Sequence, residues 1–281
     1  MDLAKAIRLN RIFAHSSRRL CSVAVDHFIG YQKGLPRGLV NLPQALRKIV
    51  AGQPDAITMH KGLAKCAWAP YAGRVPLIIQ AVCFTSDDAV IETLTRPEEV
   101  LRLGADAIAV AIGVRGPNEG KFLKLLSAMV EEADRIGLPV IAHIYPRDFA
   151  KGAAIAFDPE NIAWAVRCGI ECGADVIKVP FTGDAKSFRE IISTSPIPVV
   201  AAGGPCCDSL NDALEMLSKV VASGARGATI GRNIWGTPDP TRALQACRAI
   251  IHDRVSVSRA LGLKGSRAGV LRGNSPSPLR R

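Results

Sequence analysis

The chain has 281 residues, 48% of them hydrophobic, which is enough for the core of one large α/β domain, and no apolar run reaches the roughly 20 residues of a membrane-spanning helix. Its net charge of +11 lies at the two ends: residues 1–20 carry five basic residues and one acid, residues 254–281 carry seven basic residues and no acid, and 11 − 4 − 7 leaves the middle at zero. This distribution, without an aromatic residue among the last 28 positions for base stacking, argues against nucleic acid as the partner that defines the function.

The first 20 residues predict an amphipathic helix. Ala4, Ile7, Leu9 and Ile12 recur at helical spacing, so we expect them to be partly buried. The same stretch is rich in arginine and poor in acids, as transit peptides are. The structural helix is the favoured interpretation.

Eight short apolar runs follow along the chain, and each precedes a helical pattern. Near-continuous apolar strands are typical of a parallel sheet whose faces are both covered by helices. The runs are CSVAVDH from Cys21, DAITMH from Asp55, VPLIIQAVC from Val75, AIAVAI from Ala107, PVIAHIY from Pro139, DVIKVPF from Asp175, IPVVAAGG from Ile197 and GATIGR from Gly227.

The helices between these runs have readable ends. One opens with Asp158 as its cap and Pro159 in its first turn. Another opens with Asp208 and ends at Gly224. Such boundaries fix the order of the elements as strand, helix, strand, helix.

Eight strand–helix units without a Gly/Ser linker predict a single (β/α)₈ TIM barrel. We place the barrel, with its N-terminal helix, at residues 1–262, and a basic, disordered tail at residues 263–281. A doubly wound open sheet is the alternative fold. The absence of a GxGxxG motif after the first strand counts against its dinucleotide-binding version.

The chain has eight cysteines, with no secretory signal before them and no CxxC pair among them. This pattern predicts reduced thiols in a cytoplasmic protein and no structural zinc site. Cys206 and Cys207 are adjacent and would form a strained disulfide at best.

Active sites of such barrels lie at the C-terminal ends of the strands, which we call the mouth. Polar residues or glycines stand at or near most of the predicted strand ends. They are Asp26 and His27, His60 and Lys61, Arg115, His143 and Tyr145, Lys178, Gly203 and Gly204, and Gly231 and Arg232.

The last two strand ends predict a phosphate site. Loops after strands 7 and 8 commonly hold phosphate in this fold. Gly203, Gly204 and Gly231 let backbone N–H groups approach an anion, and Arg232 offers a two-pronged donor. A phosphorylated small molecule is therefore the expected ligand.

Lys178 stands in the middle of an apolar strand. A structural ion pair is one explanation for such a lysine. An amine that burial keeps neutral can also attack a carbonyl carbon and form an iminium, which serves as an electron sink for making or breaking a carbon–carbon bond. Because Tyr145 and Asp26 are expected at the same mouth, we favour the Schiff-base lysine.

The chain resembles the DhnA/DeoC-type class I aldolases, which include archaeal-type fructose-1,6-bisphosphate aldolase. The resemblance covers about residues 5–260. It rests on IRLNRIF at 7–13, VAVDH at 23–27, YPR at 145–147, ADVIK and TGD within 174–184, AGGP at 202–205 and IGRNIWG at 230–236.

The resemblance implies a site residue by residue. Lys178 would be the Schiff-base lysine, Tyr145 the proton-transfer residue and Asp26 a carboxylate that orients the substrate. It implies a homo-oligomer and no cofactor. It also implies a phosphorylated keto-sugar as substrate, and fructose bisphosphate is the favoured one. The alternative is a lyase or transferase of the same family that acts on another phosphorylated keto compound. Further substrate or phosphate contacts would come from Gly203, Gly204, Gly231, Arg232, His143 and His27.

Among several departures from the family pattern, two concern His143 and Cys206-Cys207. His143 stands where the bisphosphate aldolases have tryptophan, and Cys206-Cys207 follow the glycine loop where the family more often has lysine. Both lie near the mouth, so they bear on which substrate binds.

A metal-dependent aldolase is a second enzymatic hypothesis. His27, His60 and His143 all stand at predicted strand ends and are of a ligand type that Zn²⁺ accepts. Against it, neighbouring residues of a regular strand point to opposite faces, so Asp26 and His27 are not both expected to point inward. We expect no bound metal.

A regulatory barrel that binds nucleic acid through its basic ends is the hypothesis outside enzymology.

Overall fold

The computed structural model describes residues 2–27, 34–85 and 87–263. Beyond Leu263, the predicted tail lies outside the described residues. No helix in the described part of the chain is long and apolar enough to cross a membrane.

Within the described ranges, eight parallel strands form a closed barrel, one from each of the eight predicted runs. The first and last strands pair with each other, and the fourth and fifth strands close the ring, so the open-sheet alternative is wrong. The strands are β1 (Leu20–Ala24), β2 (Ala56–Met59), β3 (Leu77–Gln80), β4 (Ala107–Val114), β5 (Val140–Asp148), β6 (Val176–Val179), β7 (Val199–Ala202) and β8 (Gly227–Ile230).

Helices cover the outside of this barrel. The helices are α1 (Leu3–Ile12), α2 (Leu42–Ala51), α3 (Lys61–Ala67), α4 (Pro97–Arg102), α5 (Glu119–Asp134), α6 (Pro159–Glu171), α7 (Ala185–Ser193), α8 (Leu210–Ser223), α9 (Arg232–Trp235), α10 (Pro240–Asp253) and α11 (Val257–Leu261). Short 3₁₀ turns lie at Arg37–Leu39, Ala69–Tyr71 and Phe149–Lys151. A small hairpin (Val82–Phe84 with Ile91–Thr93) follows β3, and Ala154–Ile155 pairs with the end of β5.

Capping interactions confirm one predicted helix start and correct another. Asp158 caps α6 by accepting a hydrogen bond from the backbone N–H of Asn161. The cap of α8 is Ser209, which accepts from the backbone N–H of Asp212, and not Asp208. Serine and aspartate are equally good caps, so the choice depends on where the preceding loop turns.

The alternation of side chains along β6 decides where its lysine points. Ile177 and Val179 belong to the apolar layer between the barrel and the helices, whereas Val176 packs inside the barrel. Lys178 therefore faces the barrel interior, and it is 5% exposed.

The interior is apolar towards the N-terminal ends of the strands. Ile78, Ala109, Ile141 and Val200 pack there, and the end of α1 adds residues 12–13 to the same cluster. This packing fills the lower part of the barrel, so space for a ligand is at the mouth.

Helix α1 lies against the barrel through an ion pair as well as through apolar contacts. Lys5 is buried, and its amine contacts Asp134 and lies 2.7 Å from a carboxylate oxygen of Asp175. Ile12 is fully buried, but Ile7 is 52% exposed, so the expectation that Ile7 is partly buried was wrong. The helical spacing was right, but the charged Lys5 faces the barrel.

Candidate active site

A cavity of about 270 Å³ opens at the mouth of the barrel. Seven of the nine predicted site residues line it, brought together from β5, β6 and the loops after β1, β7 and β8. They are His27, Tyr145, Lys178, Gly203, Gly204, Gly231 and Arg232. The other two lie next to this group: His143 is the residue paired with Lys178 in the register of β5 and β6, and Asp26 precedes His27.

The loop after β1 brings Asp26 and His27 to the same site. Strand β1 ends at Ala24, so the alternation of a regular strand does not reach these residues, and the expectation that only one points inward was wrong. The Asp26 carboxylate accepts a hydrogen bond from Gln80, while His27 lines the cavity. His60, on the next strand end, contacts the backbone carbonyl oxygen of Asp26 through Nε2 at 3.3 Å.

Charges around Asp26 keep it ionised. Burial alone would raise the pKa of the Asp26 carboxyl, but the positive charges that His27 and Lys178 carry in the acid range where this carboxyl titrates lower its pKa to about 2. Burial lowers the pKa of His27 to about 4 despite the neighbouring Asp26 carboxylate. At neutral pH the site therefore holds a carboxylate beside a neutral imidazole.

His143 and Tyr145 of β5 are also neutral at pH 7. Burial, and then the charge of Lys178, lower the pKa of His143 well below its usual range. Burial and the Asp26 carboxylate raise the pKa of the Tyr145 phenol. Tyr145 thus carries its proton and can give it to a substrate atom.

Gln80 is a site residue that the sequence reasoning missed. It is the last residue of β3, it is 4% exposed, and its side-chain amide lies between Asp26 and His143. The signal in the sequence is a single amide at the end of the run VPLIIQ.

A buried ion pair lies next to Tyr145 on β5. Arg147, two residues on and on the same face, donates from Nε and Nη2 to the Asp88 carboxylate at 3.0–3.2 Å. Both side chains are almost fully buried. Asp88 has a positive φ of 58°, and a Cβ at Gly113 would lie 2.2 Å from its carboxylate. The glycine makes room for this pair.

The predicted phosphate loops are held in place by Asn233, which the sequence reasoning did not single out. Its side-chain amide donates to the carbonyl oxygens of Gly203 and Pro205, and its oxygen accepts from the backbone N–H of Cys207. Gly204 has φ +75°, a conformation that other residues rarely adopt. The exposed Arg232 reaches the carbonyl oxygen of Gly204 at 3.4 Å, so both loops and the arginine border one space.

Arg115 lies away from this cavity. Its guanidinium stacks over Trp164 at 4.2 Å and pairs with Glu160 of α6. Within residues 2–27, 34–85 and 87–263, no group of three or more His, Cys, Asp or Glu side chains is arranged to hold a metal ion.

The family model of the DeoC/LacD family aldolases matches residues 20–237. The chain belongs to this family. The barrel described above is therefore the barrel of an aldolase. The enzyme is a class I aldolase, a lyase that works through a lysine Schiff base.

Two relatives extend the match over nearly the whole chain. A "2-amino-4,5-dihydroxy-6-oxo-7-(phosphonooxy)heptanoate synthase" of Streptomyces griseus is 30% identical over 95% of this aldolase and 97% of its own length. A "2-amino-3,7-dideoxy-D-threo-hept-6-ulosonate synthase" of Halobacterium salinarum is 31% identical over 94% of this chain and 97% of its own.

A solved structure shares the fold of this aldolase at 27% identity. It is an archaeal fructose-1,6-bisphosphate aldolase with its catalytic lysine covalently bound to the carbinolamine intermediate of the substrate. The TM-score is 0.77, and the match covers 88% of this chain and 99% of that one. The prediction of an aldolase barrel is confirmed.

Proposed function

We propose that Lys178 is the lysine that forms the Schiff base, and that the substrate is a phosphorylated keto compound whose phosphate lies at Gly203, Gly204, Gly231 and Arg232. The observation that supports this most directly is that Lys178, Tyr145 and these loop residues all line one cavity. The cavity of about 270 Å³ has room for a small phosphorylated molecule.

The first step forms the iminium on Lys178. Once the amine has lost its extra proton, it adds to the ketone carbon. One of its remaining protons moves to the carbonyl oxygen, and a further proton lets that oxygen leave as water. The positive iminium nitrogen then withdraws electrons from the neighbouring carbon. A base then takes a proton from the carbon next to the iminium carbon, which gives the enamine that acts as the nucleophile.

Tyr145 is the proposed proton shuttle. Its phenol stays protonated because burial and the Asp26 carboxylate raise its pKa. In the synthetic direction the enamine carbon attacks an aldehyde carbon, and the aldehyde oxygen takes up a proton to become a hydroxyl group. Cleavage runs through the same steps in reverse, with the phenol returning a proton to the enamine carbon.

Asp26 is the proposed group that orients the substrate. Its carboxylate remains ionised at physiological pH, and it lies beside His27 at the edge of the cavity. An ionised carboxylate accepts strong hydrogen bonds from hydroxyl groups. Holding a substrate hydroxyl would align the carbon–carbon bond with the iminium. His27 and His143, as neutral rings, are the proposed further contacts to substrate hydroxyl groups.

The name of the S. griseus relative narrows the choice of ketone substrate. Aldol cleavage between the carbons α and β to the ketone divides fructose 1,6-bisphosphate into dihydroxyacetone phosphate and an aldehyde. The same cleavage divides the heptanoate in the name of the S. griseus relative into dihydroxyacetone phosphate and an amino-acid aldehyde, 2-amino-4-oxobutanoate. We therefore propose dihydroxyacetone phosphate as the ketone substrate.

The aldehyde substrate has two candidates. Glyceraldehyde 3-phosphate would make the enzyme a fructose-bisphosphate aldolase, like the archaeal enzyme whose structure is solved. Two observations favour the amino-acid aldehyde. The chain is similar over almost its whole length to relatives that are named as synthases, and His143 stands where the bisphosphate aldolases have tryptophan.

The test combines trapping and turnover. The enzyme is incubated with dihydroxyacetone phosphate, treated with borohydride and weighed by mass spectrometry, and each aldehyde is then supplied in a separate assay for the condensed product. We expect a reduced adduct with the ketone, product with one of the aldehydes, and no effect of EDTA. No adduct with dihydroxyacetone phosphate or fructose 1,6-bisphosphate would refute the proposed substrate class, and EDTA-sensitive turnover without an adduct would favour the metal-dependent hypothesis.

A further inference from the structure

One side-chain amide joins two titratable groups of the site. The Nε2 of Gln80 lies 3.1 Å from the Asp26 carboxylate oxygen Oδ2 and 3.3 Å from Nδ1 of His143. The other end of the amide, Oε1, lies 3.3 Å from the backbone nitrogen of Val82. The amide is buried, so each of these contacts replaces water.

The orientation of the Gln80 amide is fixed from both ends. The backbone N–H of Val82 can only donate, so it requires the amide oxygen. The Asp26 carboxylate can only accept, so it requires the amide NH₂ group. The two demands agree, and flipping the amide would break both.

The position of the His143 proton follows from this orientation. The Gln80 NH₂ group has no lone pair to offer, so Nδ1 of His143 must accept from it, and the ring proton is on Nε2. We infer that Gln80 is a positioning residue, whose single amide holds Asp26 as an acceptor-only carboxylate and His143 as the neutral tautomer with its proton on Nε2. Its use in catalysis rests on the function proposed above.

Two consequences for the reaction follow. His143 is the register neighbour of Lys178, so both side chains lie on the same face of the barrel sheet, and Nε2–H is the proton that the ring can donate. The amide contacts both Asp26 and His143 through one nitrogen, so it links the two groups without itself carrying a proton from one to the other. The titratable groups that act on His143 are Lys178, Asp26 and His27. Those that act on Asp26 are His27, Lys178, His60 and His143.

Gln80→Glu reverses the demand on His143. The new carboxylate still accepts from Val82, but its second oxygen now lies beside both the Asp26 carboxylate and Nδ1 of His143. Two neighbouring carboxylates need a proton between them or a cation beside them, so the added charge favours a proton on Nδ1 and an imidazolium ring. We expect kcat to fall by roughly 10- to 100-fold with little change in KM for dihydroxyacetone phosphate. The acidic limb of the kcat profile should move to higher pH, because the ring must lose its extra proton before the enzyme works.

Gln80→Met and Thr58→Val complete the set of variants. Methionine keeps the volume of Gln80 but removes the amide, so it should lower kcat without moving the acidic limb as Gln80→Glu does. Thr58 lies inside the barrel on β2, and its hydroxyl has no hydrogen-bond partner among the described residues. Its replacement by valine is the matched control, and we expect wild-type kcat and an unchanged pH profile.

The direct test reads the tautomer without any substrate. Nitrogen-15 spectra of the imidazole rings, with His143 assigned from a His143→Gln sample, should show Nε2 protonated and Nδ1 unprotonated in the wild type, and both protonated in Gln80→Glu. A proton on Nδ1 in the wild type, or equal pH profiles for Gln80→Glu and Thr58→Val, would overturn the inference. Borohydride trapping of the same variants reports separately on the proposed function, since Gln80 variants should still form the adduct.

Discussion

Tyr145 is placed and protonated as a proton donor rather than as a nucleophile. It lines the cavity with Lys178, and its raised pKa keeps the phenol protonated. Tyr145→Phe should therefore leave the adduct with dihydroxyacetone phosphate intact while turnover falls by about 10²–10⁴-fold, the usual contribution of general acid–base catalysis.

Tyr71→Phe is the matched control for this substitution. Tyr71 packs against Trp68, outside the residues that line the cavity, so its hydroxyl should not affect turnover. Steady-state assays and trapping on both variants give the comparison. Turnover within twofold of wild type in Tyr145→Phe would exclude the tyrosine from proton transfer.

Arg232 supplies the positive charge of the proposed phosphate site. A charge-assisted hydrogen bond contributes about 1.5–3 kcal/mol, so Arg232→Gln should raise KM for dihydroxyacetone phosphate by roughly 10-fold or more. Arg242→Gln is the control, because Arg242 donates to the carbonyl oxygen of Leu261 and does not line the cavity. Equal KM values for the two variants would place the phosphate elsewhere.

Among the elements, helix α1 depends on a charged contact for its position. Lys5 pairs with Asp175, which also accepts a hydrogen bond from the backbone N–H of Val140 at the start of β5. Removing one partner of a buried pair leaves the other unpaired, so Lys5→Met should lower the free energy of unfolding by roughly 3 kcal/mol. Lys65→Met is the control, since that lysine is exposed and its ion pair with Glu99 contributes little.

The pH dependence of this contact has a definite sign. Burial would lower the pKa of Lys5, but Asp134 and Asp175 outweigh burial and raise it above its ordinary value of 10.5. The stabilisation is therefore complete below about pH 10.5 and is lost as the pH rises through the folded-state value. Denaturant unfolding of wild type and Lys5→Met should differ by a constant amount from about pH 6 to 9; convergence within that range would contradict this assignment.

The sequence predicted the barrel elements well because apolar runs and helix-end residues are both local signals. Each strand is a short apolar run, and Asp158 and Gly224 mark helix ends through contacts within a turn. Ile7 was misplaced because helical spacing defines a face but not which face is covered, and Lys5 and its two aspartates settled that.

At the site, the sequence located strand ends but not the contacts between them. Lys178 was found because a charge in an apolar run is conspicuous. Gln80 was missed because a neutral amide is not, and its partners come from β5 and the loop after β1. Asp88 lies 59 residues from Arg147, a distance at which no sequence pattern reports pairing.

For the whole molecule, the domain boundary stays a prediction. The described chain up to Leu263 already contains the closed barrel and every residue of the proposed site. A variant that lacks residues 264–281 should keep the melting temperature and kcat of the full chain, measured side by side at the same protein concentration. A loss of either would show that the basic segment takes part in folding or catalysis.

The homo-oligomer implied by the family resemblance also stays a prediction, which light scattering tests.

The account depends most on the identity of one amine. The decisive measurement is peptide mapping of the borohydride-reduced adduct with dihydroxyacetone phosphate, in wild type, in Lys178→Met and in Lys186→Met, whose lysine is exposed at the start of α7. We predict that the added mass lies on the peptide containing Lys178, is absent in Lys178→Met together with all turnover, and is unchanged in Lys186→Met. An adduct on any other lysine, or full activity in Lys178→Met, would contradict the account.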